Sequence, residues 1–179
     1  MTAIEQEAFA TMERHLVTAT VELFESYGIA IRHTGTSPEA QLVSDDRSVV
    51  AVIGYAGEKV RGALVMVASR PVIEGWLAAM GESSADVCDT LGEFSNMLLG
   101  RLKGRLLPEG FPILLSTPTT AFGGSLRMSR PVRPSNWLTF AGAGWRLDLR
   151  VDATFEEGFA LQAREARETP ADAGDMMLF

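Results

Sequence analysis

Between residues 3 and 27 the apolar positions Phe9, Met12, Leu16, Ala19, Leu23 and Tyr27 recur at spacings of three and four, and Gly28 follows them. That period and that stop predict one long amphipathic helix. Residues 35–48 are polar and rich in turn formers apart from Leu42-Val43, which predicts a loop holding one short strand. Two β-branched runs, 49–55 and 60–68, then flank Ala56-Gly57-Glu58-Lys59 and predict a hairpin. Pro71 opens a short helix that ends near Met80-Gly81, and Ser83 or Ser84 is placed to cap a second long helix running to about Leu106. Pro108, Gly110 and Pro112 end it. Ile113 to Ser116 predicts a buried strand, and 125–131, 136–141 and 144–152 complete a second set. From about residue 160 the pattern is briefly helical and then polar around Pro170, so this stretch is expected to fray, although the chain closes on the apolar Met176-Met-Leu-Phe179.

The two halves resemble each other. VELFESYG (21–28) and EFSNMLLG (93–100) both end at glycine, and each precedes a loop and strands, which suggests a duplicated helix-plus-strands unit. Aligned on those glycines, Glu93 and Asn96 fall opposite Val21 and Phe24, so the polar pair exists once. A chain of 179 residues fits one domain. The expected division is a domain over 1–155 and a helical, then flexible, tail over 156–179. A net charge of −7 argues against nucleic acid as the main partner, because binding phosphates needs a basic surface. One cysteine and two histidines offer no disulfide and no rich metal site. Neither a signal peptide nor a membrane-spanning run is evident, so the expected location is the cytoplasm, away from membranes.

Candidate chemistry concentrates on the second long helix. With Glu93 at zero and about 100° per residue, Asn96 falls near 300°, Asp89 near 320° and Gly100 near 340°. Leu91, Phe94, Leu98 and Leu102 lie together on the other side. The polar face is a solvated surface or a site. Gly100 bears on the choice, since glycine inside a helix costs about 1 kcal/mol. Its bare backbone admits another molecule, packs a neighbouring helix or allows a kink. Elsewhere, Gly142-x-Gly144 lacks the third glycine of a dinucleotide loop and reads as a hairpin turn. His15 reads as a partly exposed helical histidine, and Cys88 as a small core residue. Arg101, Lys103 and Arg105 read first as a solvated helix end, where cations suit the helix dipole, and second as a lure for an acidic partner.

Asp89-x-x-x-Glu93-x-x-Asn96, continuing through Met97-x-x-Gly100 to Leu115-Ser-Thr-Pro118 and Thr119-Thr-Ala-Phe-Gly123, resembles the signature of the CheC/CheX/FliY chemotaxis phosphatases. Between Asn96 and Pro118 lie 21 residues, one fewer than the family's usual spacing. The single motif copy is similar to the CheX branch. The resemblance implies an α/β (α+β) protein with pseudo-two-fold units and a mixed sheet packed on two long helices. It implies hydrolysis of the aspartyl phosphate of a CheY-like response regulator, with no cofactor of its own and Mg2+ held by the regulator. Within it, Asn96 orients the attacking water and Glu93 anchors the regulator, while Asp89, Gly100 and Pro118 belong to partner binding. The CheX branch also implies a homodimer. The rival reading is a module that binds a regulator, or a flagellar-switch component, without cleaving anything.

Overall fold

The structure is a computed structural model and describes residues 2–37, 47–82, 84–123, 135–157 and 159. Helix α1 spans Ala3–Ser26, with Thr2 and Glu5 closing a reciprocal capping box at its start. Strand β1 is Arg32–Ser37. Strands β2 (Ser48–Gly57) and β3 (Val60–Ser69) form the expected hairpin, with a tighter turn than expected, Glu58-Lys59 alone lying between them. Helix α2 covers Arg70–Met80 and ends on Gly81 at φ 79°, the left-handed conformation that suits glycine. Helix α3 runs Val87–Leu106, and a short 3-10 turn, Leu107–Glu109, follows it. Strands β4 (Ile113–Leu115), β5 (Thr119–Phe122), β6 (Trp137–Gly142) and β7 (Trp145–Phe155) complete the order.

All seven strands join one sheet in the order β1-β6-β7-β3-β2-β4, with β5 also paired to β2. Every pairing is antiparallel, so the sheet is not mixed as expected. The hairpins β2-β3 and β6-β7 meet at a β3–β7 seam. Each half lends its outer strand to the other: β1 pairs with β6, while β4 and β5 pair with β2. This reciprocal exchange fits the duplicated units and makes them one inseparable body.

The core lies between the sheet and the helices. Val49, Ala51 and Ile53 of β2, Leu64 and Met66 of β3, and Leu147, Leu149 and Val151 of β7 face Leu16, Leu23, Leu91, Leu98 and Leu102. The alternate strand positions Val50, Val65, Val67 and Trp137 form a second cluster on the other face. There the Arg150 guanidinium lies 4.8 Å from the Trp137 ring and pairs with Asp152 at 2.9 Å. Phe159, past the expected domain boundary, stacks on Phe155 and Phe111 at 4.5 and 5.2 Å.

Several expectations change. The cap of α3 is Asp86, which accepts from the Cys88 and Asp89 amides at 2.7 and 3.2 Å, in place of Ser84; Ser83 lies outside the described residues. In β4 only Ile113 is buried, Leu114 being 74% exposed. Strands β1 and β5 arise where none was expected. Leu42-Val43, the strand expected over 125–131 and the tail from 160 lie outside the described residues. Among the described residues no helix is long and apolar enough to cross a membrane.

Two measurements of stability follow. A Cβ at Gly62 would overlap the Asp152 carbonyl oxygen and sit 2.6 Å from the Tyr55 hydroxyl, which itself donates to that carbonyl at 2.8 Å. Because backbone must move to admit it, Gly62→Ala is expected to lower Tm by about 5 °C or more in a thermal melt. On α1, burial pushes the Glu13 carboxyl above its ordinary value, and Asn136 beside it offsets part of that rise. A raised carboxyl pKa in the folded state costs stability above it, so Glu13→Gln is expected to raise Tm at pH 7. The advantage shrinks on acidification to pH 4, as the wild-type carboxyl takes up its proton.

Candidate functional site on helix α3

Helix α3 is fixed by its apolar side. Leu91, Leu98, Leu99, Leu102 and Leu106 are fully buried, which turns Asp89, Glu93, Asn96 and Gly100 outward as the sequence period requires. Glu93 and Asn96 are separated by about 4.5 Å along the axis and about 60° around it. They therefore present a carboxylate and a carboxamide together on one exposed patch. Asp89 stands one turn earlier, in the first turn, where the partial positive charge of the helix end suits it. Among the described residues no atom beyond the helix's own nearby backbone lies within 4 Å of a Cβ built on Gly100. No neighbouring helix among them packs there, and α3 continues past it unbroken.

Pro118 comes to the same helix from β4-β5. A Cβ built on Gly92 would lie 3.8 Å from the Pro118 Cγ and 3.3 Å from the Thr120 Cγ2, so glycine here lets the β4-β5 segment lie close beside Glu93. The segment is pinned from behind. Ser116 donates its amide to the Gly54 carbonyl and accepts the Gly54 amide on its Oγ, both at 2.9 Å. Ser95, buried next to Asn96, donates its hydroxyl back to the Gly92 carbonyl at 2.7 Å. Gly92 was not singled out from the sequence. Its signal is a pair of small residues, Gly92 and Ser95, three apart on one flank of the helix.

Along the other flank α1 lies antiparallel to α3. Arg105 forms an ion pair with Glu22, Arg101 reaches the Ser26 hydroxyl at 3.5 Å, and Tyr27 donates its hydroxyl to the Met97 sulfur at 3.2 Å. Two of the three cations in the basic run thus tie helix to helix. The glycine-based alignment of the halves needs a shift of one residue. Phe24 is fully buried among Trp76, Phe94 and Trp145, whereas Asn96 is exposed. The outward positions of α1 are Glu22 and Glu25, which still gives no carboxamide to match Asn96.

The patch is acidic, with Asp86, Asp89 and Glu93 exposed in sequence along α3. Cys88 sits among them half-buried, and burial pushes its thiol up, with the carboxylates of Asp86 and Asp89 adding to the rise. It stays protonated and is no nucleophile at neutral pH. His15 lies away from the patch, 3.6 Å from Glu109, with burial pulling its pKa down. No group of three or more histidine, cysteine, aspartate or glutamate side chains is arranged to hold a metal among the described residues. The patch offers hydrogen bonding and negative charge.

Solved structures share this architecture. Chemotaxis protein CheX from Vibrio vulnificus superposes with a TM-score of 0.71 at 17% identity, covering 80% of this chain and 99% of that one. The CheX of the CheX–CheY–BeF3–Mg2+ complex from Borrelia burgdorferi gives 0.67 at 15% identity, over 78% and 96%. FliY from Thermotoga maritima gives 0.61 at 16%, over 86% and 92%. At these identities the likeness is one of fold. No curated protein matches the sequence. The model of the family described as chemotaxis phosphatase CheX matches residues 49–140, more than half of the chain and the whole of α3, and the protein belongs to that family.

Proposed function

We propose that this protein hydrolyses the aspartyl phosphate of a CheY-like response regulator, working in the cytoplasm with Mg2+ held by the regulator. The observation that carries the reading is the exposed Glu93–Asn96 pair on α3, with Pro118 seated against Gly92 beside it. The missing residue before Pro118 does not keep that proline from the helix. Family membership and the Borrelia CheX–CheY complex support the choice of partner.

In the reaction, water attacks phosphorus, the bond from phosphorus to the aspartyl oxygen breaks, and free carboxylate and inorganic phosphate leave. Catalysis of such a step is mainly positioning and charge stabilisation. The Asn96 carbonyl accepts a hydrogen bond from the water and holds its lone pair in line. A carboxamide takes up no proton at neutral pH, so Asn96 orients and does not act as a base. Glu93 is an acceptor only, and it meets a cation of the regulator. The acidic face disfavours a bare phosphate monoester and suits a partner that brings lysine and Mg2+ around its phosphoryl group. Asp89 and Gly100 extend the docking surface to either side, and Pro118 shapes its edge. The homodimer forms through an edge strand of the sheet, β1 or β4-β5, and light scattering at micromolar concentration is expected to give twice the chain mass.

The test is the decay of phosphate from CheY-like regulators with Mg2+ present. Wild type is expected to accelerate it. Asn96→Ala is expected to lose roughly 100-fold in kcat while keeping its affinity, since it removes only the positioning of water. Glu93→Ala is expected to weaken binding about tenfold through the lost ion pair. Tight binding with no acceleration would make the protein a docking module.

A further inference from the structure

Tyr27 is an exposed aromatic residue that stands beside the polar pair of α3. It caps the C-terminus of α1 and is 38% exposed. Its ring is held on two sides. It lies 5.2 Å from the Phe94 ring, on the residue after Glu93, and its hydroxyl donates to the sulfur of Met97, on the residue after Asn96. Behind it Gly28 takes φ 71° and the Ile29 amide returns to the Phe24 carbonyl at 3.0 Å, so the helix end is locked. Exposure here is therefore not looseness: the ring is rigid and pre-positioned, which reduces the entropy lost when a partner covers it.

Its position relative to the pair matters more. Around α3, Asn96 stands on one side of Glu93, toward Pro118 and Thr120, and Met97 stands on the other, toward α1. A body seated on Glu93 that spreads toward α1 covers Met97 and meets Tyr27. Aromatic rings with a polar tip are the commonest energetic anchors of interfaces, being large, stiff and able to hydrogen-bond. The present partner of the hydroxyl is a thioether, a weak acceptor within the chain, so the ring and not the hydroxyl is what a partner covers. Arg101 reaches the neighbouring Ser26 hydroxyl and Glu25 is exposed two residues before the ring, so charges of both signs border Tyr27, while the carboxylates of Asp89 and Glu93 on α3 favour a partner that brings cations to the face.

We propose that Tyr27 is the aromatic anchor of the docking face: the phosphorylated response regulator covers its ring, and this contact sets affinity without taking part in hydrolysis. The proposal rests on the function above, naming a docking residue for the same site. It assigns α1 a role in partner choice, although α1 carries neither Glu93 nor Asn96.

The test compares wild type with Tyr27→Phe, Tyr27→Ala and Ile4→Ala. Ile4 is 45% exposed, and 23 positions earlier along α1 it stands about 34 Å from Tyr27, so it controls for the loss of any exposed apolar group. Binding to a CheY-like regulator loaded with BeF3 and Mg2+ gives Kd, and phosphate release gives KM and kcat. Tyr27→Ala is expected to raise both Kd and KM about tenfold with kcat within twofold of wild type, whereas Tyr27→Phe and Ile4→Ala change neither. Thermal melts of each variant check the fold. In the wild type, hydrogen exchange around residues 24–28 is expected to slow on adding the loaded regulator, a readout independent of any substitution. Unchanged Kd in a folded Tyr27→Ala, or unchanged exchange at that helix end, overturns the proposal. If Tyr27→Ala weakens binding but Asn96→Ala leaves phosphate release as it was, the anchor stands and the catalytic reading fails. If no regulator binds the wild type, both fall.

Discussion

Burial of one stripe of α3 governs the rest. Five leucines of this helix lose all contact with water. At about 25 cal/mol per Å2 of apolar surface each contributes on the order of 2 kcal/mol, a large share of any domain's net stability. The helix can neither rotate nor slide without exposing them, so the opposite stripe is fixed in orientation just as firmly. Asp89, Glu93 and Asn96 contribute almost nothing to that burial and are positioned entirely by it. A rigid element thus presents a polar pair whose own interactions are left free for another molecule, which is how binding and catalytic groups are best held.

What surrounds the pair divides its labour. On one flank Gly92 admits the Pro118–Thr120 segment to the helix, and Ser116 ties that segment to β2. On the other, α1 is held to α3 by Arg105 with Glu22 and by the stack of Phe24, Phe94 and Tyr27. The two flanks differ in chemistry, one threonine-rich with a proline, the other aromatic and thioether. A partner meeting this face is therefore read in one orientation.

How much of this the sequence disclosed follows from where each signal resides. Both long helices are buried on one side, so hydrophobic periodicity reports them, and β2-β3, with buried residues on both faces, is reported by its two β-branched runs. Strands β1 and β5 went unforeseen because they lie at the rim of the sheet: Arg32–Ser37 and Thr119–Phe122 have no fully buried residue, and without a buried face there is no alternation to read. The outward grouping of Glu93, Asn96, Asp89 and Gly100 was legible, since one helical period sets it. The seat of Pro118 against Gly92 and the stack of Tyr27 on Phe94 were not, because each depends on a meeting of residues far apart in the chain. Asp86 displaced Ser84 as the cap of α3 by a shift of two residues, the scale at which helix ends are poorly encoded.

The exchange of outer strands between the halves bears on how the chain reaches this state. The central seam joins Leu64 to Val151 and Val60 to Phe155, partners 87 and 95 positions apart. Its neighbours β1 and β6 are more distant still, Arg32 meeting Ala141. Contacts of such sequence separation close large loops before they return any stabilisation, and domains built on them fold slowly. As the chain emerges from the ribosome, β3 and β1 must wait for partners that are synthesised last. The β2-β3 hairpin meanwhile carries an uncovered edge and an uncovered apolar face, the features that make nascent chains adhere to one another. The interlock that unites the two halves thus places the greatest hazard for this protein in its synthesis, before the site on α3 has a sheet to rest on.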